Sequence, residues 1–173
     1  MYYKIFSIIF VLFVFATPAF SIVEKTSASV VASSLPDLQS VDCKFTQERI
    51  FSGSKVKSSG DFKFVKGKGV YFMTTYPVKA TSSYTAANNR YINDIILAVT
   101  KKNFSKIDKD FDLFLQKSSK NSPWCVRLTA KNENLKNHIE LIKIFGDNKH
   151  ITQIQIYQVN PTIQTDIKFR FGE

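Results

Sequence analysis

Phe45-Thr46-Gln47, then Ser59-Gly60-Asp61-Phe62-Lys63-Phe64, then Gly69-Val70-Tyr71-Phe72 running on to Pro77, read as three successive amphipathic strands. Side chains alternate between two faces along a strand. Val41, Cys43 and Phe45 therefore oppose Asp42, Lys44 and Thr46, and Phe62 and Phe64 oppose Asp61 and Lys63. Phe51 to Lys57, with Gly53, is expected to be the loop between the first two strands. Lys66-Gly67-Lys68-Gly69 makes a tight turn before the third, Val70 to Tyr76, because glycine reaches the positive φ that hairpin turns need. The stretch is a wall with one apolar and one charged side.

The same period of two returns downstream, at Asp110 to Gln116, Trp124 to Ala130, His138 to Phe145, Ile151 to Val159 and Thr162 to Phe171. Trp124, Val126 and Leu128 share a face. In the last strand Ile163, Ile167, Phe169 and Phe171 oppose Gln164, Asp166, Lys168 and Arg170. Short turns such as Gly146-Asp147-Asn148 make the connections antiparallel. Two stretches break the rhythm. Residues 22–38, rich in Ser, Ala and Val, suit one short helix from about Lys25 to Ser34, ended near Pro36. From Tyr91 to Lys102, Ile92, Ile95, Ile96 and Val99 fall at i, i+3, i+4 and i+7, the stripe of an amphipathic helix. The fold class expected is α+β, mostly antiparallel β, with short helices across the open side of a curved sheet and an apolar cavity between them.

A leader precedes the wall. Lys4 supplies a positive start, Ile5 to Ala16 is apolar, and Ala19-Phe20-Ser21 is a small-x-small cleavage site. Pro18 interrupts the run short of the roughly 20 apolar residues of a membrane span. Residues 1–21 are therefore expected to be a signal peptide cleaved after Ser21, and residues 22–173 a single domain with one core. The first cysteine is Cys43, so lipoprotein processing at the leader is not expected.

The formal net charge of +10 falls by one when Lys4 is removed, and such a surface favours anionic partners. Export counts against nucleic acid among them. Lys55, Lys57, Lys63, Lys66, Lys68, Lys101, Lys102 and Lys131 are scattered and read mainly as solvated strand faces. Cys43 and Cys125 would reach an oxidising compartment. Parity places Cys43 on an apolar face and Cys125, between Trp124 and Val126, on a polar one, which argues against a disulfide; a curved or closed sheet leaves the pairing open.

Catalytic signatures are missing from the sequence. His138 and His150 stand at no metal-ligand spacing, and there is no Gly-x-Ser-x-Gly elbow or phosphate-cradling glycine loop. Asp108-x-Asp110-x-Asp112 imitates the start of a calcium loop, but the positions that want glycine and glutamate hold Leu113 and Ser119. Lys66 to Phe72 imitates an RNA-stacking strand, with Lys68 where the aromatic should be. No enzyme, cofactor, metal or nucleic-acid partner is expected. What stands out is aromatic surface. Of 16 phenylalanines only Phe6, Phe10, Phe13, Phe15 and Phe20 lie in the leader. The others suit either an apolar cavity or an ordinary dry core.

The order leader, helix, Phe-Thr-Gln, Ser-Ser-Gly-Asp-Phe-Lys-Phe, Gly-x-Gly-Val-Tyr-Phe and Tyr-Pro resembles the periplasmic outer-membrane lipoprotein carrier (LolA-like) family. Trp124-Cys125-Val126-Arg127-Leu128-Thr129-Ala130-Lys131, Ile151-Thr152-Gln153-Ile154-Gln155-Ile156 and Thr165-Asp166-Ile167-Lys168-Phe169 extend the likeness over most of the chain, as a divergent branch. The resemblance implies an unclosed half β-barrel whose helices form a lid over an apolar cavity. It implies a monomeric periplasmic carrier that takes acyl chains of a lipoprotein or lipid from an inner-membrane transporter to an outer-membrane acceptor. Phe45, Phe62, Phe64, Val70 and Phe72 match the lining, Ile92, Ile95, Ile96 and Val99 the lid face, and Trp124, Val126 and Leu128 join the lining by their shared face.

Two departures accompany the resemblance. Lys66 stands where the principal carriers place an arginine that bonds the lid, and lysine lacks the planar fork. Lys66 and Lys68 are expected to serve as a weaker latch or as headgroup contacts. The segment Pro77 to Tyr91 is also shorter than its counterpart, which normally adds strands. An envelope interaction or sensor module of the same fold, carrying nothing, is the alternative.

Overall fold

The computed structural model describes residues 24–51, 53–66, 69–83, 90–117, 123–159 and 164–172. The leader with its cleavage position, Lys68, Thr162 and Ile163 lie outside them. Ten antiparallel strands form one sheet: β1 (Lys25–Thr26), β2 (Val41–Phe51), β3 (Ser54–Val65), β4 (Gly69–Tyr76), β5 (Ala80–Ser83), β6 (Phe111–Lys117), β7 (Trp124–Ala130), β8 (Leu141–Gly146), β9 (Ile151–Tyr157) and β10 (Gln164–Arg170). Their order is β1-β6-β7-β8-β9-β10-β2-β3-β4-β5. Two meanders, β2 to β5 and β6 to β10, are thus zipped together along β10 and β2, with Phe169 opposite Phe45 and Ile167 opposite Gln47. Edge strands β1 and β5 do not pair with one another, so the barrel stays open. The expected unclosed, mostly antiparallel fold is what the chain adopts.

Helix α2 (Arg90–Thr100) lies against the inner face. Val99 and Ile96 are fully buried, and Ile95, Leu97, Ala98 and Thr100 nearly so. The Thr100 hydroxyl turns back to donate to the Ile96 carbonyl at 2.8 Å, which satisfies it without a partner across the core. The helix ends where Lys102 takes a left-handed conformation (φ 52°), with the Asn103 N–H donating to the Ala98 carbonyl and the Lys102 N–H to the Val99 carbonyl. This is the paired-bond stop that usually uses glycine. None of the helices among the described residues is long and apolar enough to cross a membrane.

Four element boundaries differ from the sequence reading. Within the expected loop Phe51–Lys57, Phe51 and residues 54–57 are strand: β2 and β3 pair to Phe51 opposite Ser54, with Gly53 at the turn (φ 78°). Its alternation is invisible because this end of the hairpin leaves the core and carries polar groups on both faces, Arg49 and Glu48 facing Val56 and Lys57. The early helix is shorter than Lys25–Ser34. Lys25 and Thr26 pair with β6, and α1 (Ala28–Ser34) starts where Ser27 accepts the Val30 N–H. The strand expected from His138 begins at Leu141, because Asn132 caps a short helix α3 (Glu133–Lys136) and the N–H groups of His138 and Ile139 bond back to Leu135. Lastly, β5 forms in the segment after Pro77, paired with β4 from Thr74–Ala80 to Tyr71–Ser83.

Two glycines set close approaches. A β-carbon on Gly60 would come within 2.0 Å of the Met73 carbonyl oxygen, beside the bulge where Thr75 is left unpaired in β4. A β-carbon on Gly146 would enter the Trp124 ring, at 2.0 Å. That ring is fixed by its own Nε1–H, which donates to the Asp147 carbonyl at 2.7 Å.

Candidate functional site: the phenylalanine wall beneath helix α2

The first meander builds its inner face from aromatic rings. Cross-strand register places Cys43 opposite Phe62, Phe62 opposite Phe72, and Phe45 opposite Gly60. With no side chain at Gly60, the Phe45 ring reaches past β3 to meet Phe72 edge-on, centroids 5.2 Å apart at 85°. Phe62 lies 4.9 Å from Phe72 and 4.4 Å from Phe169 of β10. Edge-on and tilted contacts of this kind add roughly 0.5–1.5 kcal/mol per pair to area burial. Phe64 and Val70, an opposed pair, continue the wall.

All the apolar residues singled out from the sequence face this interior. Phe45, Phe62, Phe64, Val70, Phe72, Trp124, Val126 and Leu128 are buried, as are Ile95, Ile96 and Val99 of α2, while Ile92 is partly buried against them. They do not form one site. Trp124 stacks over Gly146 at the far end of the second meander, near the turn in which Asp147 Oδ1 accepts the N–H groups of Lys149 and His150. Val126 and Leu128 pair with Ile144 and Ile142 in an aliphatic part of the wall. Phe169, Ile167 and the polar trio Gln47, Thr74 and Asn93 belong to the site and were missed. Parity had already turned Ile167 and Phe169 inward, whereas nothing in the sequence marks Asn93, which is 1% exposed.

Among the described residues the space under α2 is small: a cleft of ≈ 70 Å³ lies at the start of the helix, between Phe45, Gln47, Phe72, Thr74, Ile92 and Asn93, and one of ≈ 10 Å³ lies beside Phe64, Ile96 and Thr100. Binding pockets for small molecules run to roughly 300–1,000 Å³. On the outer, polar face a groove of ≈ 340 Å³ lies between Glu48, Lys57, Tyr76, Asp166, Lys168 and Arg170.

Lys66 is exposed, and its backbone N–H donates to Ser40 Oγ at 3.0 Å. Just past α2, Lys102 pairs with Asp37 at 2.8 Å. Hydrogen bonding to Lys102 holds the Asp37 carboxyl below its ordinary range. Cys43 and Cys125 are free and buried on opposite faces of the sheet. Burial pushes each thiol up to about 11, helped at Cys43 by the charges of Asp42 and Asp61 and opposed at Cys125 by Lys143. No cluster of His, Cys, Asp or Glu able to hold a metal ion occurs among the described residues.

No family model matches this chain, and no curated protein matches it. Among solved structures it is similar to a LolA superfamily protein from Nitrosomonas europaea, at 8% identity and a TM-score of 0.35, over 84% of this chain and 92% of that one. It is also similar to a DUF1329 family protein from Desulfovibrio piger, at 12% identity and a TM-score of 0.37, over 83% and 88% of the two chains.

Proposed function

We propose that the protein is a non-enzymatic carrier of acyl chains in the cell envelope, in which helix α2 occupies the phenylalanine-lined half-barrel until a chain takes its place. The observation that carries this reading is the cover itself. The Phe45–Phe62–Phe72–Phe169 cluster meets an aliphatic stripe on one helix, and that helix has a cleft at its start and an ion pair just past its end.

The energetics of exchange suit a carrier. Each buried methylene contributes about 0.8 kcal/mol, so an acyl chain of roughly 14 carbons gains on the order of 11 kcal/mol. Uncovering the stripe of Ile92, Ile95, Ile96 and Val99 costs about 1.5–3 kcal/mol per side chain, hence on the order of 6–12 kcal/mol in all. The two sides nearly balance, and near balance permits release as well as uptake. Periplasmic location after cleavage at Ser21, a transporter that loads the chain, an acceptor that receives it and a monomeric working state all belong to this proposal.

Gentle purification followed by lipid extraction and native mass spectrometry tests it. The expected result is co-purified lipid, or uptake of an added fluorescent fatty acid that Phe72→Ala weakens. Protein that is repeatedly free of lipid and ignores the probe sinks the reading. One observation favours a second: a remaining cleft of ≈ 70 Å³ is what a filled core leaves, as expected of an interaction module that carries nothing. Recovery of a stoichiometric envelope partner, with no lipid in either state, would support that module instead.

A further inference from the structure

We infer that the end of the sheet marked by Phe51 and Ser54, by Tyr76 and Val78, and by Val159 after β9 docks on an anionic lipid surface. Of the seven large hydrophobic side chains exposed among the described residues, four lie there: Val56 (54%), Tyr76 (60%), Val78 (71%) and Val159 (53%). The register puts them at one end. Phe51 faces Ser54 at the hairpin tip, Tyr76 faces Ser59, Thr74 faces Ala80, and Gln164, which opens β10, faces Ile50. At the opposite end Trp124 is bonded to Asp147 and the Phe171 ring is stacked 4.3 Å from His150, with Tyr71 the exposed aromatic among the described residues there.

Charge selects the occupant. Arg49 faces Val56, Lys55 and Lys57 flank it, Lys57 shares the outer groove with Tyr76, Lys79 follows Val78, and all four cations are exposed. Glu48 is the carboxylate among them, bridged by Lys55 at 3.0 Å and Lys57 at 3.3 Å, while Asp166 stands one strand further in and is engaged by Gln153 and Lys168. A tyrosine and small aliphatics ringed by an excess of cations match the interfacial layer of a bilayer, where amphipathic rings sit at headgroup depth and lysines gain from anionic lipid. The same end holds the cleft between Thr74, Gln47 and Ile92, so docking presents the start of α2 to the membrane. Docking does not depend on chain carriage.

Co-sedimentation with vesicles of phosphatidylcholine alone and of phosphatidylcholine mixed with phosphatidylglycerol tests the inference. Binding is expected to the mixed vesicles, falling with added salt and slight with phosphatidylcholine alone. Replacing Lys55, Lys57 and Lys79 together by Gln should weaken it about a hundredfold, and Tyr76→Ser with Val78→Ser about tenfold. Circular dichroism of both variants guards against misfolding. Absence of binding to the mixed vesicles, binding that neither variant changes, or association of the protein with itself through this end in place of vesicles overturns the inference. Fatty-acid uptake measured on the same variants should stay as in the parent, so docking and carriage fail separately.

Discussion

The two meanders solve the burial problem differently. In β6 to β9 the inner face is mostly aliphatic, built of Leu113, Val126, Leu128, Ile142, Ile144, Ile154 and Ile156 with Phe111 and Trp124 towards its ends, and the outer face is also half covered. There the Arg127 guanidinium lies 5.2 Å over Phe114, and Lys143 lies 5.3 Å over Tyr157. Cys125 is buried beneath these neighbours. In β2 to β5 the inner face is aromatic, while the outer face carries spaced surface ion pairs such as Lys44 with Asp61 and Lys63 with Asp42. A sheet supported on both sides is a frame; a sheet whose apolar side is covered by a helix is a surface that something else can cover. On the carrier proposal, the second meander supplies structural support and the first the exchangeable contact.

The sharpest way to break that division is to insert a methyl group at its two glycines. Gly60→Ala meets the Met73 backbone, which cannot rotate away, and should destabilise by about 3 kcal/mol or more in a urea titration. Gly146→Ala meets the Trp124 side chain, which can shift at the expense of its bond to Asp147, and should cost about 1–3 kcal/mol with a change in tryptophan fluorescence. If Gly146→Ala proved the more damaging, the frame would owe its order to Trp124 more than to its ladders.

Next in size is a matched pair of truncations. Ile144→Ala should lose about 2–5 kcal/mol of stability while fatty-acid uptake persists in the folded fraction, whereas Phe72→Ala should reduce uptake beyond any loss of folded protein. Equal effects on uptake would erase the proposed division. The thiols give a smaller and symmetrical effect. Both have folded values raised to about 11 from 9.0, so the neutral form is favoured by the fold. Their contribution to stability is present below pH 9 and is lost as pH rises towards 11, and an aromatic disulfide reagent at neutral pH should label neither until the protein unfolds. The smallest effect is expected from Asp37→Asn. It should leave the unfolding midpoint nearly unchanged, since Asp37 is well exposed, yet speed amide exchange in α2 if Lys102–Asp37 restrains the helix.

The sequence showed these regions unequally. Strand alternation around Phe45, Phe62 and Phe72 and the stripe on α2 were legible because burial on one face writes a period into the chain. The outer half of the β2–β3 hairpin was not, since its backbone ladder forms without a core and Arg49 and Val56 carry no period. Asn93 was equally hidden, because a buried amide owes its place to neighbours far along the chain. Lys102 looked like one more surface lysine; its pairing with Asp37 depends on where α2 stops, which the left-handed turn decides. Lys66 drew notice by family likeness, and the structure engages its backbone with Ser40.

The open barrel has a consequence for how crowded copies of this protein behave. A sheet that never closes offers two rows of unsatisfied backbone groups, the usual template for runaway strand addition. Among the described residues β1 has two residues, covering Leu113 and Phe114 of β6, and β5 has four. Lys25 on β1 is bridged to Asp112, and Lys79 stands at the entrance to β5. Short, lysine-flanked edge strands of this kind limit strand addition from neighbouring copies. Extending β5 by a few β-branched residues should therefore turn a dispersed protein into a fibre-forming one, without touching a single residue of the wall.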